Sequence, residues 1–369
     1  MRILHVITSL LTGGAEKLVV DLVPKLAEMG HQVDVAVFNA TSMPLKMLLT
    51  ERCPRCKVYE LGNSFYSLKY IWELRKITRN YDIVHTHNSS PQLFAALANI
   101  GRHKKLVTTE HSTNNRKREH TQFRGLDRWT YRHYNRIICI SDIAREKLLS
   151  YLRWKQDDDR VVTINNGVDV KAFRTATPVN GQTLGFSRSD RYVTVMVAGF
   201  REAKDQDTVV RALALLPEEE YELWLVGVGV RMDEVKELVK TLKLEDRVHF
   251  LGLRSDVPNV LKAADVVVMS SHWEGLSLSN VEGMSVGKPF IASNVDGLKE
   301  VTEGYGLLFP HEDAQSLANI IKKLHDDKTF YNEIAERCYA RAKEYDLNKT
   351  VIGYEKVYQE CGALANGTN

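Results

Sequence analysis

The sequence predicts an α/β fold of two doubly wound parallel sheets, and three observations carry that reading. At roughly 150 residues per domain, 369 residues suffice for two domains. Short apolar runs alternate with amphipathic stretches, and the alternation occurs in two separate series, as repeated β-α-β units require. With 44% apolar and 26% charged residues, each half can bury a full core, which excludes disorder and collagen-like repeats. No run of about 18 consecutive apolar residues occurs, so no segment reads as a membrane-spanning helix.

The elements follow in order. Ile3 to Leu11 is an apolar run that reads as a buried first strand rather than a signal peptide; a Gly-Gly turn follows it. An amphipathic segment from Glu16 to Met29 closes at Gly30, and Val33 to Phe38 is the next strand. Ile83 to Thr86, Leu106 to Thr109 and Ile137 to Ile140 continue the series. After a turn-rich stretch at Asn165, Asn166 and Gly167 and a polar linker from Thr175 to Asp190, a second series begins. Its strands are Val193 to Ala198, Tyr221 to Val226, Val248 to Leu251, Asp265 to Met269 and Pro289 to Ser293. The last 60 residues read as helical. The expected domains are 1–168 and 169–350, with a terminal helix over about 351–365 packing back onto the first. Open parallel sheets bind ligands beyond the carboxyl ends of their strands, so each strand-to-helix turn is a candidate site.

Charge divides unevenly. Residues 1–170 carry 26 Lys+Arg against 17 Asp+Glu, whereas residues 171–369 carry 24 against 30. Between Arg102 and Arg136, ten basic residues meet three acidic ones, with Phe123, Trp129, Tyr131 and Tyr134 interleaved. That stretch reads as a surface for an anionic membrane or an anionic acceptor, with Arg116 and Arg118 near its centre. No nucleic-acid partner is expected. The five cysteines are odd in number and scattered, which argues for a reducing compartment; the expected location is cytoplasmic, at the inner face of the cell membrane. Cys53 and Cys56 form a lone C-x-x-C without a second pair, so they read as inert.

Two turns carry chemistry. Thr12-Gly13-Gly14-Ala15-Glu16 joins the first strand to its helix; its glycines admit close approach of a ligand, and the helix start offers amides to a phosphate. It is not G-x-G-x-x-G, which opposes the competing reading of a dinucleotide oxidoreductase. Downstream, Glu274-Gly275-Leu276-Ser277-Leu278-Ser279-Asn280-Val281-Glu282 follows the strand ending near Met269. Its small residues open a helix whose first amides suit a diphosphate. Glu282, about one turn further on, can accept hydrogen bonds from the vicinal hydroxyls of a ribose, and Glu274 faces a sugar. His85 and His87 share a face at a strand end; with His111 they read as lining a polar cleft and touching the acceptor rather than as a metal site. Asp157-Asp158-Asp159 precedes a strand instead of ending one, so it reads as a solvated loop and not as a metal-binding D-x-D.

The ordered series resembles the large family four of retaining glycosyltransferases, which have the GT-B fold: two facing Rossmann-like domains with a cleft between them. Glu274 and Glu282 match that family's paired glutamates, Gly13-Gly14-Ala15-Glu16 its first turn, Asn166-Gly167-Val168-Asp169 its linker pattern, and His111 of Thr109-Glu110-His111 its first-domain histidine, which makes His111 a catalytic candidate beside Glu274, Lys204 and Arg201. The resemblance implies transfer of a sugar from a nucleotide-sugar, UDP-linked by the family's habit, to a lipid-linked or polysaccharide acceptor. The configuration would be retained without a metal or any cofactor. Glu282 would grip the ribose and Glu274 the donor sugar's hydroxyls. Lys204 would neutralise the leaving diphosphate, cradled by Gly13, Gly14 and the amides of Gly275, Leu276 and Ser277. The turns at Gly227 and at Leu253-Arg254 would lie near the donor. His85, His87, Arg116 and Arg118 are the acceptor candidates, and the 102–136 stretch the membrane-facing one. The sequence departs from the family at Gly199, which stands where an arginine is usual; Arg201, two residues on, is the candidate replacement. A GT-B protein that binds a nucleotide without turnover remains the other reading.

Overall fold

The computed structural model describes residues 1–11, 13–111, 121–180, 184, 190–274 and 278–363. The chain divides into two compact units, Met1–Asn166 together with the chain from Leu347 onward, and Gly167–Asp346.

The first unit is built on a seven-stranded sheet in the order β3-β2-β1-β4-β5-β6-β7. Its strands are β1 Arg2–Ile7, β2 Gln32–Val37, β3 Val58–Glu60, β4 Ile83–His87, β5 Lys105–Glu110, β6 Arg136–Cys139 and β7 Val161–Thr163. Every pairing is parallel. The second unit repeats the plan with six strands in the order β10-β9-β8-β11-β12-β13. These are β8 Tyr192–Val197, β9 Tyr221–Val226, β10 Val248–Gly252, β11 Val266–Met269, β12 Phe290–Ser293 and β13 Leu307–Phe309. Again every pair is parallel. A parallel sheet covered by helices buries both faces of its inner strands, which is why these strands read as continuous Val/Ile/Leu runs rather than alternating ones. The expected strands lie within a residue or two of the observed ones, except that the first stops at Ile7 and the run beyond it to Leu11 is loop.

Three strands were not foreseen: β3, β7 and β13, each of three residues and each a sheet edge. An edge strand has one paired side and partial burial, so it leaves no long apolar run to read.

Helix boundaries follow local chemistry. Ser141, Asp169, Asp205, Asp313 and Asp327 cap their helices, each side chain accepting from the backbone N–H three residues on. The last helix, Leu347–Ala363, belongs to the first unit. Its Leu347, Val351, Tyr354, Tyr358 and Cys361 recur at helical spacing and join Ile3, Ile7, Val19, Leu22 and Ile83 in one apolar cluster. All five cysteines are free and buried. Burial pushes the Cys56 thiol up to about 12, as expected of an inert pair. No described helix is long and apolar enough to cross a membrane.

The sheet order reverses direction between β1 and β4 in the first unit and between β8 and β11 in the second. Loops leaving the two strands that flank such a reversal diverge to opposite faces and leave a crevice.

Candidate active site

In the second unit both flanking loops carry expected residues. The chain leaving β8 turns through a short 3-10 helix, Glu202–Lys204, and the chain leaving β11 runs through Ser271 and His272 to Glu274. Across the crevice Lys204 Nζ donates to Glu274 Oε1. The same oxygen accepts from Ser271 Oγ at 2.8 Å, a contact that sequence reasoning missed because a serine at a strand end carries no signal. His272 N donates to Ala203 O at 2.9 Å and ties the loops together. Both members of the pair are largely shielded, with side-chain exposures of 20% and 13%, so the Lys204 charge is held by one carboxylate inside the crevice.

Glu282 lies on the helix Leu278–Ser285, half-buried, with Asn280 and Val281 wholly buried before it. Gly275, Leu276 and Ser277 lie outside the described residues. Arg201 is exposed, and its Nε lies 3.6 Å from where a Cβ on Gly199 would stand, so the side chain passes over that glycine. Gly227 has φ +135, and a Cβ there would run into the Ala198 carbonyl; one on Gly229 would meet Phe200 O. Those glycines therefore let the loop after β9 lie against the loop after β8, with Phe200 N donating to Val228 O at 3.2 Å. Leu253 is 68% exposed, and Arg254 forms a two-pronged pair with Asp256 at 2.8 and 2.7 Å.

The first unit gathers the histidines differently from expectation. His5 on β1 pairs in register with His85 on β4, so both rings point to one side of the sheet. His87 shares that side, stacked on His85 at 4.4 Å between ring centroids. All three are fully buried. His85 is held by Tyr358 at 2.6 Å and Thr109 at 2.8 Å. His87 Nε2 lies 2.9 Å from His5 Nδ1, and its Nδ1 lies 2.9 Å from His111 Nε2. The expected acceptor contact of His85 and His87 is therefore corrected: both rings spend their nitrogens on internal hydrogen bonds. Burial holds His5 down to about 3 and His111 to about 4, and His85 and His87 well below the usual imidazole range, so the cluster is neutral. By distance alone His5, His85 and His87 could share an ion, but an ion would have to displace those bonds. Among these four histidines, His111 lines a pocket of about 120 Å3 with Asn88, Gln92, Thr109 and Glu110. His5 was missed because a histidine inside an apolar run reads as a strand residue.

Gly13 precedes the helix Gly14–Glu28, as the turn predicts. The Glu16 carboxylate folds back over Gly13 and is hydrogen-bonded to its own amide and to Ser9; burial raises its pKa, and those two bonds oppose the rise. The amides there already face a carboxylate. Thr12 lies outside the described residues, as do Arg116 and Arg118. Of the aromatic residues interleaved in the basic stretch, Tyr131 and Tyr134 are core, not surface. Tyr131 donates to Glu110 at 2.6 Å, and Tyr134 takes a hydrogen bond from Thr86 at 3.0 Å and donates to the Gln92 carbonyl at 2.8 Å. Asp158 pairs with Arg160 at 3.0 and 2.7 Å, ahead of β7.

Comparison with known proteins decides the family. The family description "Glycosyltransferase Family 4" matches residues 12–172, and "Glycosyl transferases group 1" matches residues 185–345, between them most of the chain. The chain belongs to the family-four, group 1 glycosyltransferases. This glycosyltransferase is 29% identical over 319 residues to the Escherichia coli UDP-Gal:alpha-D-GlcNAc-diphosphoundecaprenol alpha-1,3-galactosyltransferase, covering 82% of this chain and 79% of that one. It is 27% identical over 370 residues to the Bacillus anthracis N-acetyl-alpha-D-glucosaminyl L-malate synthase, covering 94% of each. In fold it is similar to Anabaena HepE, solved in complex with UDP, at TM-score 0.81 and 22% identity, over 98% of this chain and 100% of that one. A glycosyltransferase from Rickettsia africae superposes at TM-score 0.82 and 21% identity, over 98% of each chain. The fold is GT-B, and the dinucleotide oxidoreductase reading falls away.

Proposed function

We propose that this glycosyltransferase moves a hexosyl group from a UDP-sugar to a lipid-linked or polysaccharide acceptor in cell-surface glycan synthesis, with retention and without a metal in the transfer step. The observation that carries the donor side is the Lys204–Glu274 pair at the strand-order reversal of the second unit, next to the helix that bears Glu282. A sugar-diphosphate donor has two features to satisfy there. Its diphosphate needs a cation, which Lys204 supplies once Glu274 turns to the sugar hydroxyls; its ribose needs an acceptor pair, which Glu282 supplies. Leaving-group charge is then stabilised by fixed groups in a shielded crevice, where they act more strongly than in water. Supporting the donor class are the UDP-galactose in the name of the E. coli relative and the UDP complex of HepE; the diphosphoundecaprenol in the former supports a lipid-linked acceptor. The anionic acceptor suits the net positive first unit, and that charge supports a location at the inner face of the membrane.

The test is transfer of labelled sugar from UDP-galactose, UDP-glucose and UDP-N-acetylglucosamine to undecaprenyl-diphosphate-linked sugars in chelator. Turnover is expected to persist in EDTA and to leave the anomeric configuration unchanged. Loss in EDTA with rescue by manganese or magnesium would refute the metal-free step.

A further inference from the structure

Beside the Lys204–Glu274 pair, in the same unit, four residues converge that the donor site does not use. Asp205 caps the helix Gln206–Ala214 with its Oδ1, 3.2 Å from Thr208 N. Its other oxygen, Oδ2, is buried without a hydrogen-bond partner, and the residue is only 3% exposed. A carboxylate oxygen taken from water and left unmet is costly, and a cation is the group that would meet it. Facing it, His272 Nδ1 and His311 Nε2 share one hydrogen bond at 2.7 Å, which an ion would displace, and His272 Nδ1 lies 3.4 Å and His311 Nε2 3.9 Å from Glu312 Oε1; unlike the His5 cluster, this set includes the unpartnered Asp205 oxygen. Ligand atoms of Asp205, His272 and His311 all lie within 4.8 Å of one another. Tetrahedral zinc, with bonds of about 2.0–2.1 Å, spaces its ligand atoms about 3.3 Å apart, which falls among these separations. A pocket of about 720 Å3, lined by Asp205, His272 and Glu312, gives an ion access from solvent.

We propose that Asp205, His272 and His311, completed by Glu312, bind a divalent transition-metal ion of the zinc class. Two imidazoles with two carboxylates suit zinc; magnesium and calcium prefer oxygen-only sets. The ligands come from the loops after β8, β11 and β13, so one ion joins three loops. Lys204 adjoins one ligand in sequence, and Glu274 lies two residues from another, so the ion stiffens the loops that carry the donor residues without being required for turnover. No step of sugar transfer passes through it, and the site stands or falls independently of the donor's identity.

The protein is stripped with chelator and titrated with zinc alone by calorimetry, and with cobalt followed by absorption. One equivalent is expected to bind, with the strong visible bands of a tetrahedral cobalt site and a zinc-dependent rise in melting temperature. His311→Ala removes an exposed side chain, so it should keep the chelated protein's circular dichroism and melting temperature while weakening zinc binding at least about tenfold and erasing the cobalt bands. His272→Ala should do the same. A wild-type protein that binds no zinc overturns the proposal; so does zinc binding of unchanged affinity in His311→Ala, which would move the ion to another set such as His5, His85 and His87.

Discussion

Glu282 and Glu274 differ in what surrounds them, and the roles proposed for them rest on that difference. Glu282 sits on a helix whose neighbours Asn280, Val281 and Gly283 are buried, so its backbone is fixed. In the proposed role, replacing it with alanine would remove charge-assisted hydrogen bonds to a ribose, worth about 1.5–3 kcal/mol each, and calorimetry should show UDP affinity falling by at least tenfold. Unchanged affinity would remove Glu282 from the donor site. Glu274 instead neutralises Lys204 in the ligand-free protein. Glu274→Ala frees that lysine, so free UDP should bind as well or better while turnover of the sugar nucleotide collapses; parallel losses of both would refute the division. Arg201, lying over Gly199, is the candidate second cation. Arg201→Ala should lower turnover by the order of 10²–10³ that one charge-stabilising donor contributes, and Arg201→Lys should recover only part of it, since the planar fork is lost. Near-wild-type rates in Arg201→Ala beside collapse in Lys204→Ala would assign the leaving-group charge to Lys204 alone.

At the scale of elements, the final helix is a structural member of the first unit rather than an appendage. Tyr354 and Tyr358 are wholly buried in it, and their hydroxyls reach Thr109 at 3.1 Å and His85 at 2.6 Å. The helix therefore closes the polar network behind β4 and β5. Tyr358→Phe keeps the packing but leaves a buried His85 nitrogen without a partner, which costs about 1–3 kcal/mol. Tyr358→Ala adds a cavity, for about 3–5 kcal/mol in all. Urea denaturation should rank wild type above the phenylalanine variant and that above the alanine variant; equal stabilities for wild type and Tyr358→Phe would show that the hydrogen bond contributes nothing. The final helix was legible because its apolar residues keep a helical period over several turns. Strands β3, β7 and β13 were not, because three residues at an edge are too few to show any period.

At the scale of the whole molecule, charge is the property with a direct reading. The first 170 residues hold 26 basic against 17 acidic groups, and each Lys or Arg near an anionic bilayer adds about 1 kcal/mol. Sedimentation with liposomes should rise with the fraction of anionic lipid and fall with salt, and indifference to both would remove the membrane from the proposal. The exposed Arg132 side chain, rather than the buried Tyr131 and Tyr134, would make such contacts.

By itself the sequence determined the fold class, the paired sheets, most inner strands and the turns worth inspecting. These are local properties: apolar runs, helical periods, glycine turns and the spacing of Glu274 and Glu282 all survive in one dimension. Only the tertiary structure decided partnerships between residues far apart in the chain. It joined Lys204 to Glu274 across a strand-order reversal, turned His85 and His87 inward onto Tyr358 and His5, placed Arg201 over Gly199, and brought Asp205 to His272 and His311. Register decides such meetings. A residue's partner is set by which strand lies beside its own and where the next loop turns, and that information exists only once the sheets have formed.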